Sequence, residues 1–134
     1  MDVFVIFKPG SGIILDPRPV LNYFKSKGYK ESDDRILIGG WPVQFLPPRG
    51  KLEEEAMRNA ITLEDDAGPP LRVFSAEYIA AVALKTGRAK DFSRLLQFWE
   101  SAALDRSQFK EIVSRHELTE KWLVFKKKFD LTEP

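Results

Sequence analysis

The pattern of apolar residues changes once along the chain, at residues 74–75, and this change constrains the fold more than any other feature. Before it, short apolar runs alternate with glycine and proline; after it, apolar residues recur at helical spacing. Short runs between turn residues favour strands, whereas a 3.6-residue period favours helices. We therefore predict a single α+β domain over residues 1–134, with a sheet-containing part in residues 1–74 and a helical bundle in residues 75–134.

The sheet-containing part has several runs rich in β-branched and aromatic residues, which are typical of strands. We expect one small mixed sheet from residues 3–7, 36–38, 43–46 and 71–74. Gly39 and Gly40 predict a tight hairpin turn or a bulge, and residues 29–34 a polar connection. Flanking helices are predicted where Asp16 and Pro17 can begin a helix, and where Leu52, Ala56 and Ala60 share one face.

The helical part has start and stop signals at regular intervals. Ser75 can cap a helix that ends before Gly87, and residues 105–108 resemble a capping box. An apolar stripe on one helix must face a core. The residues predicted to pack together there are Phe92, Leu95, Leu96, Trp99, Phe109, Ile112 and Trp122.

Composition excludes some classes of function. The sequence has no cysteine, so it forms neither disulfides nor a cysteine metal site. Its net charge of +1, from 21 basic and 20 acidic residues, argues against a broad nucleic-acid footprint. No run is long enough for a membrane helix, so we expect a cytoplasmic protein without a membrane partner. The acidic run at residues 53–55 and the basic run at residues 126–128 are interpreted as solvated helix faces.

Two groups of residues could carry chemistry. Asp2 leads into a strand, and a carboxylate at a strand end is a common ligand of Mg²⁺. Lys85, Arg88 and Lys90 cluster at a helix junction, where cations could hold a triphosphate. The alternatives are a solvated Asp2 and, for residues 87–91, a helix end followed by the first turn of the next helix.

Two single residues also allow both a structural and a functional interpretation. His116 is the only histidine of the sequence and is interpreted as a polar helix-end residue rather than a catalyst. Trp41 follows two glycines; core packing is the favoured interpretation, and an exposed ring that stacks on a base is the alternative.

Three segments together resemble a known family, the minimal or AbiEii-like nucleotidyltransferases of the polymerase-β type fold. They are residues 2–5 (DVFV), residues 40–46 (GWPVQFL), and residues 77–91, which run from Glu77-Tyr78 to Gly87-Arg88-Ala89-Lys90-Asp91. The Arg115-His116-x-Leu118 run is also similar to one that recurs in these proteins. The resemblance covers nearly the whole chain and depends on the order and spacing of the segments.

The resemblance implies a function and a set of site residues. Asp2 would be a catalytic acid and metal ligand, and Glu77 a second catalytic residue. Lys85, Arg88, Lys90 and Asp91 would contact the nucleotide, with Mg²⁺ as cofactor if the protein is active. The acceptor would be RNA or protein, and the setting a prokaryotic toxin–antitoxin or phage-defence system. We expect Asp2, Gln44, Glu77 and Lys85 or Arg88 to lie around one cleft.

The sequence also departs from the family pattern. The glycine-rich nucleotide motif is missing, the first catalytic acid would lie before Met1, and Gln44 stands where a third carboxylate can occur. Ala83 occupies a position where lysine is common. We therefore expect a truncated or degenerate enzyme whose reading frame starts upstream. The alternative is a non-catalytic, antitoxin-like or oligomerising protein. In both cases we expect a homo-oligomer or dimer through an open sheet edge.

Overall fold

The computed structural model describes residues 2–4, 18–64, 66–68 and 70–132. The predicted continuation of the first strand over residues 5–7 and the helix start at Asp16 and Pro17 lie outside these residues. The elements in chain order are β1 (Asp2–Phe4), α1 (Arg18–Ser26), β2 (Glu31–Ser32), β3 (Arg35–Ile38), β4 (Trp41–Leu46), α2 (Lys51–Arg58), β5 (Ile61–Leu63), β6 (Leu71–Val73), α3 (Ala76–Thr86), α4 (Ala89–Glu100), α5 (Arg106–Arg115) and α6 (Thr119–Lys128).

The chain divides into two compact units, Met1–Arg49 and Gly50–Pro134. The predicted mixed α+β class is confirmed, because both units contain strands and helices. The change at residues 74–75 falls inside the second unit, between β6 and α3. A single domain over the whole chain stays a prediction.

The first unit contains a mixed four-stranded sheet in the order β1-β4-β3-β2. β1 runs parallel to β4, and the other pairs are antiparallel. Gly39 and Gly40 join β3 to β4 with φ angles of +58° and +82°, the backbone that a two-residue hairpin needs and that glycine adopts without strain. Ile36 and Val43 are cross-strand partners and both are buried.

α1 packs on the sheet of the first unit through an aromatic contact. Val20, Leu21 and Phe24 are the partly buried residues of the helix. The Phe24 ring stacks on Phe45 of β4, with centroids 5.3 Å apart. Residues 29–34 were predicted to be a polar connection without a strand. This is wrong in one respect, because Glu31–Ser32 forms β2 and pairs with β3.

Two further predictions, the pairing of one strand and the burial of Trp41, are wrong. Leu71–Val73 is not part of the four-stranded sheet; it pairs with Ile61–Leu63 in a separate antiparallel hairpin of the second unit. The partner strand was not predicted because three residues are too few to show a period. Trp41 is 71% exposed rather than in the core, since it lies at the end of β4 beside the hairpin turn.

The helical part of the second unit is arranged around α3, which contacts α2, α4, α5 and α6. Ala80, Ala81 and Ala83 are buried on this helix, and small side chains let neighbouring helices approach closely. Gly87 ends α3 in the left-handed conformation, as predicted, with φ +72°. The Asp105 carboxylate accepts the Gln108 N–H, which confirms the predicted cap of α5.

The predicted helical core is confirmed. Leu95, Trp99, Phe109, Ile112 and Trp122 are buried, and Phe92 and Leu96 are partly buried against them. The Trp99 ring centroid lies 4.7 Å from that of Trp122 and 6.2 Å from that of Phe109. Such aromatic contacts add to the free energy gained from burying apolar area.

Candidate functional site

A carboxylate with three partners joins three helices of the second unit. Glu55 of α2 accepts hydrogen bonds from Tyr78 Oη of α3 at 3.0 Å, and from Arg115 Nε and Nη2 at the end of α5, both at 3.0 Å. His116 Nε2 lies 2.8 Å from Glu55 Oε2. We call these four residues the Glu55 cluster. The paired guanidinium contact fixes the orientation of both groups.

The partners strongly favour the ionised form of Glu55. Hydrogen bonds from Arg115 make the largest contribution to lowering the pKa of Glu55 to about 2; partial burial opposes them, and His116 and Tyr78 lower it further. Burial, followed by the bond to Glu55, raises the pKa of the Tyr78 hydroxyl. Glu55 is therefore a carboxylate at neutral pH, fixed in place by its neighbours.

A second ion pair lies close to the cluster. Lys85 Nζ donates to both carboxylate oxygens of Glu53 at 2.8 Å, and the Glu53 side chain is almost fully buried. The carbonyl of Lys85 accepts a bond from Lys121 Nζ at 2.7 Å.

An open cleft of about 330 Å³ brings the two groups together. We call it the basic cleft. The charged and polar residues along it are Lys51, Lys85, Arg115, His116 and Glu117. A second open cleft of about 510 Å³ has Glu77, Tyr78 and Arg115 in its lining, so the Arg115 side chain borders both.

Glu77 and Lys85 were both predicted as site residues, and they lie far apart on α3. Glu77 is in the first turn and Lys85 in the last, a separation of roughly 12 Å along the helix axis. Glu77 is buried, and its Oε1 accepts the Asp105 N–H at 2.8 Å. It thus satisfies a backbone donor just before α5.

Arg88 and Asp91 are brought together at the start of α4. Arg88 Nε donates to Asp91 Oδ2 at 2.7 Å, and the Arg88 backbone N–H donates to the same oxygen at 3.2 Å. The side-chain bond from Arg88 is the main cause that lowers the pKa of Asp91. Asp91 is buried, whereas Lys90 is exposed. Residues 87–91 therefore form a helix end and the cap of the next helix, which was the structural alternative for this run.

Asp2 and Gln44 belong to the first unit. They are register partners in the parallel pair β1–β4. Gln44 Nε2 donates to Asp34 Oδ2 at 2.6 Å, so a carboxylate that the sequence did not single out stands beside this strand position. Within the described residues, no group of three or more acidic, histidine or cysteine side chains could hold a metal ion. A common cleft for Asp2 and Glu77 stays a prediction.

Lys85 was predicted as a site residue, but the sequence assigned no site role to the other residues of the Glu55 cluster and the basic cleft. The run 53–55 was assigned to a solvated face, which is wrong for Glu53 and Glu55 because both are shielded and paired; only Glu54 is exposed. A signal was available. Glu53 follows Leu52 and Glu55 precedes Ala56, so both carboxylates border the buried stripe of α2. Their partners are distant in sequence and give no local signal.

Comparisons with protein-family models, curated proteins and solved structures find no match to this chain. Across the described residues, no helix has the length and apolar character needed to cross a membrane.

Proposed function

We propose that the protein is a nucleotidyltransferase-like protein that binds the phosphate groups of a nucleotide at the basic cleft. The observation that carries the proposal is the position of Lys85. The family resemblance assigns this residue to the nucleotide, and it lines a cleft together with Lys51, Arg115 and His116. Lysine and arginine are the residues that most often neutralise phosphate in proteins.

The electrostatics of the cleft support a pre-organised site. Glu53 holds the ammonium of Lys85, and Glu55 holds the guanidinium of Arg115 by two bonds. Cations held in this way lose little conformational entropy when a ligand arrives. Glu53, Glu55 and Glu117 match the charges of Lys51, Lys85 and Arg115 one for one, so we expect modest affinity that falls as salt is added. Lys51, exposed at the start of α2, would add positive charge at the rim.

Transfer chemistry would need more than this cleft. By the resemblance, Asp2 would bind Mg²⁺ and Glu77 would assist, with an RNA or protein acceptor in a toxin–antitoxin or defence setting. Magnesium would neutralise charge on the triphosphate during transfer. Among the described carboxylates of the first unit, Asp34 is the one that hydrogen bonds to Gln44, the register partner of Asp2.

Calorimetric titration with MgATP and with inorganic triphosphate tests the binding proposal. We expect both ligands to bind and Lys51→Ala to weaken both, because it removes a rim charge without disturbing a buried pair. Lys30→Ala, which removes an exposed lysine of the first unit, is the matched control and should bind as the wild type does. Binding that is equal in the two variants would contradict the proposal.

A non-catalytic interaction protein is the second candidate, and the contact of Glu77 favours it. The carboxylate predicted to be catalytic is buried and bonded to the Asp105 backbone. Glu77→Gln separates the two candidates because an amide oxygen can still accept that bond. If Glu77 is catalytic, this variant loses Mg²⁺-dependent nucleotide transfer and keeps its thermal stability. If the protein is an interaction module, neither wild type nor variant transfers nucleotide, and both have the same melting temperature.

A further inference from the structure

The β5–β6 hairpin exposes three large aliphatic side chains on one side. Ile61, Leu63 and Leu71 are 48%, 51% and 61% exposed, and the pairing Leu63↔Leu71 and Ile61↔Val73 puts them on one face. We call Ile61, Leu63 and Leu71 the hairpin face. Arg72 is on the opposite side, and its Nη2 donates to the Met57 carbonyl of α2 at 3.1 Å.

Side chains on both sides of the hairpin are exposed; Val73, which shares the apolar side, is partly buried, and Ile61 also lines the second cleft. In most two-layer packings the apolar face of a sheet lies on the protein and the polar face meets water. Here the exposed Arg72 side chain reaches the Met57 carbonyl, and Leu63 and Leu71 on the apolar side meet water. A contiguous exposed apolar patch of this kind commonly marks an interaction site.

The hairpin face has an acidic border. Glu64 and Asp66 are exposed in the segment that joins β5 to β6. A partner that covers this face would therefore combine apolar side chains with positive charge.

The last helix of the same unit presents such a combination. Leu123 and Val124 of α6 are 54% and 67% exposed, and Lys127 follows them one turn later on the same side. We call Leu123, Val124 and Lys127 the helix face. Lys128 is exposed beside it, and Glu120 lies one turn earlier, so the basic end of the surface is the C-terminal one.

We propose that the hairpin face of one copy binds the helix face of a second copy. The apolar side chains of the two surfaces match, and the acidic border of one meets the basic end of the other. The contact is heterologous, since two different surfaces meet, and it leaves one unused face on each copy. Such contacts generate rings or filaments rather than a closed two-fold dimer. This association differs from pairing through an open strand edge, because it uses side chains instead of backbone hydrogen bonds.

Two surface variants and their mixture test the proposal by sedimentation velocity. Wild type should form concentration-dependent assemblies larger than a dimer that dissociate as salt is added. Leu71→Ser removes the most exposed side chain of the hairpin face, and Val124→Ser the most exposed apolar side chain of the helix face. Each variant alone should associate at least roughly tenfold more weakly, and an equimolar mixture should form a 1:1 dimer through the two intact faces. Both positions are exposed, so the variants should fold like the wild type, which circular dichroism checks.

Thr62→Ala, on the other side of the hairpin, is the control for the serine variants and should associate as the wild type does. Charge reversal is an independent test. Lys127→Glu should weaken association, and Glu64→Lys in the same chain should restore it. A monomeric wild type at all concentrations would overturn the proposal. So would a two-fold dimer that both serine variants abolish and that their mixture fails to restore.

Discussion

The two units hold their charged side chains in different ways. In the first unit, Lys25 and Glu31 form an ion pair at 2.8 Å, and both side chains are at least a third exposed. In the second unit, Glu53, Glu77 and Asp91 are buried, and each has a partner within hydrogen-bond distance. The comparison teaches that short ion-pair distances alone say little about stability; desolvation decides how much the loss of one partner costs.

The largest effect should come from the core of the second unit. Leu95 is fully buried, whereas Leu96 is only partly so. Leu95→Ala should lower the free energy of unfolding by about 2–5 kcal/mol, because it removes transfer energy and leaves a cavity. Leu96→Ala is the matched control and should cost less than about 2 kcal/mol, since its site borders solvent. Urea denaturation followed by circular dichroism measures both; equal losses would contradict the assigned burial.

The second-largest loss of stability should come from breaking the ion pair between Lys85 and the buried Glu53. Lys85→Ala leaves the Glu53 carboxylate buried without its ammonium partner, and we expect a loss of about 3 kcal/mol in the free energy of unfolding. The double variant Glu53→Leu, Lys85→Met should recover most of that loss, because an apolar pair of similar volume has no charge to desolvate. Thermal unfolding by calorimetry gives the comparison. A double variant as unstable as the single one would show that the pair is not the cause.

Acid should weaken the second unit through Glu55. Its folded pKa of about 2 is below its unfolded value of 4.5, so the carboxylate stabilises the fold fully above about pH 5. That contribution should be lost progressively as the pH falls toward 2. Glu55→Gln should flatten the dependence of unfolding free energy on pH over this window. An unchanged slope in the variant would assign the acid sensitivity to other carboxylates, Asp91 first.

The smallest effect should come from the surface pair of the first unit. Lys25→Ala removes a partner of Glu31, and the change in unfolding free energy should be below about 1 kcal/mol because water solvates both groups. Added salt should reduce even this effect. A loss as large as that of Lys85→Ala would show that distance, not desolvation, governs both pairs.

The sequence predicted the elements whose signals are local. The stripe on α4 and the glycines at 39–40 and 87 each act through neighbours a few residues away, and the structure has them as expected. The pairing of Leu71–Val73 was mispredicted because strand partners are set by the whole fold.

The candidate site was less predictable for the same reason. Glu55 and Arg115 are 60 residues apart in sequence, so no spacing rule connects them. The motif residues Arg88 and Asp91, which the resemblance assigned to a nucleotide, bond to each other in a capping arrangement at the start of α4. The Arg88–Asp91 motif therefore has a structural role at the junction of α3 and α4. Its presence in the sequence does not identify a ligand.

The positions of the three tryptophans have a spectroscopic consequence. Trp99 and Trp122 are buried, with ring centroids 4.7 Å apart, whereas Trp41 is largely exposed. The emission of Trp41 should already resemble that of an unfolded chain, so a red shift on denaturation would come from the two buried indoles. Intrinsic fluorescence should therefore follow the second unit alone. A collisional quencher added to the native protein should act first on the single indole of the first unit.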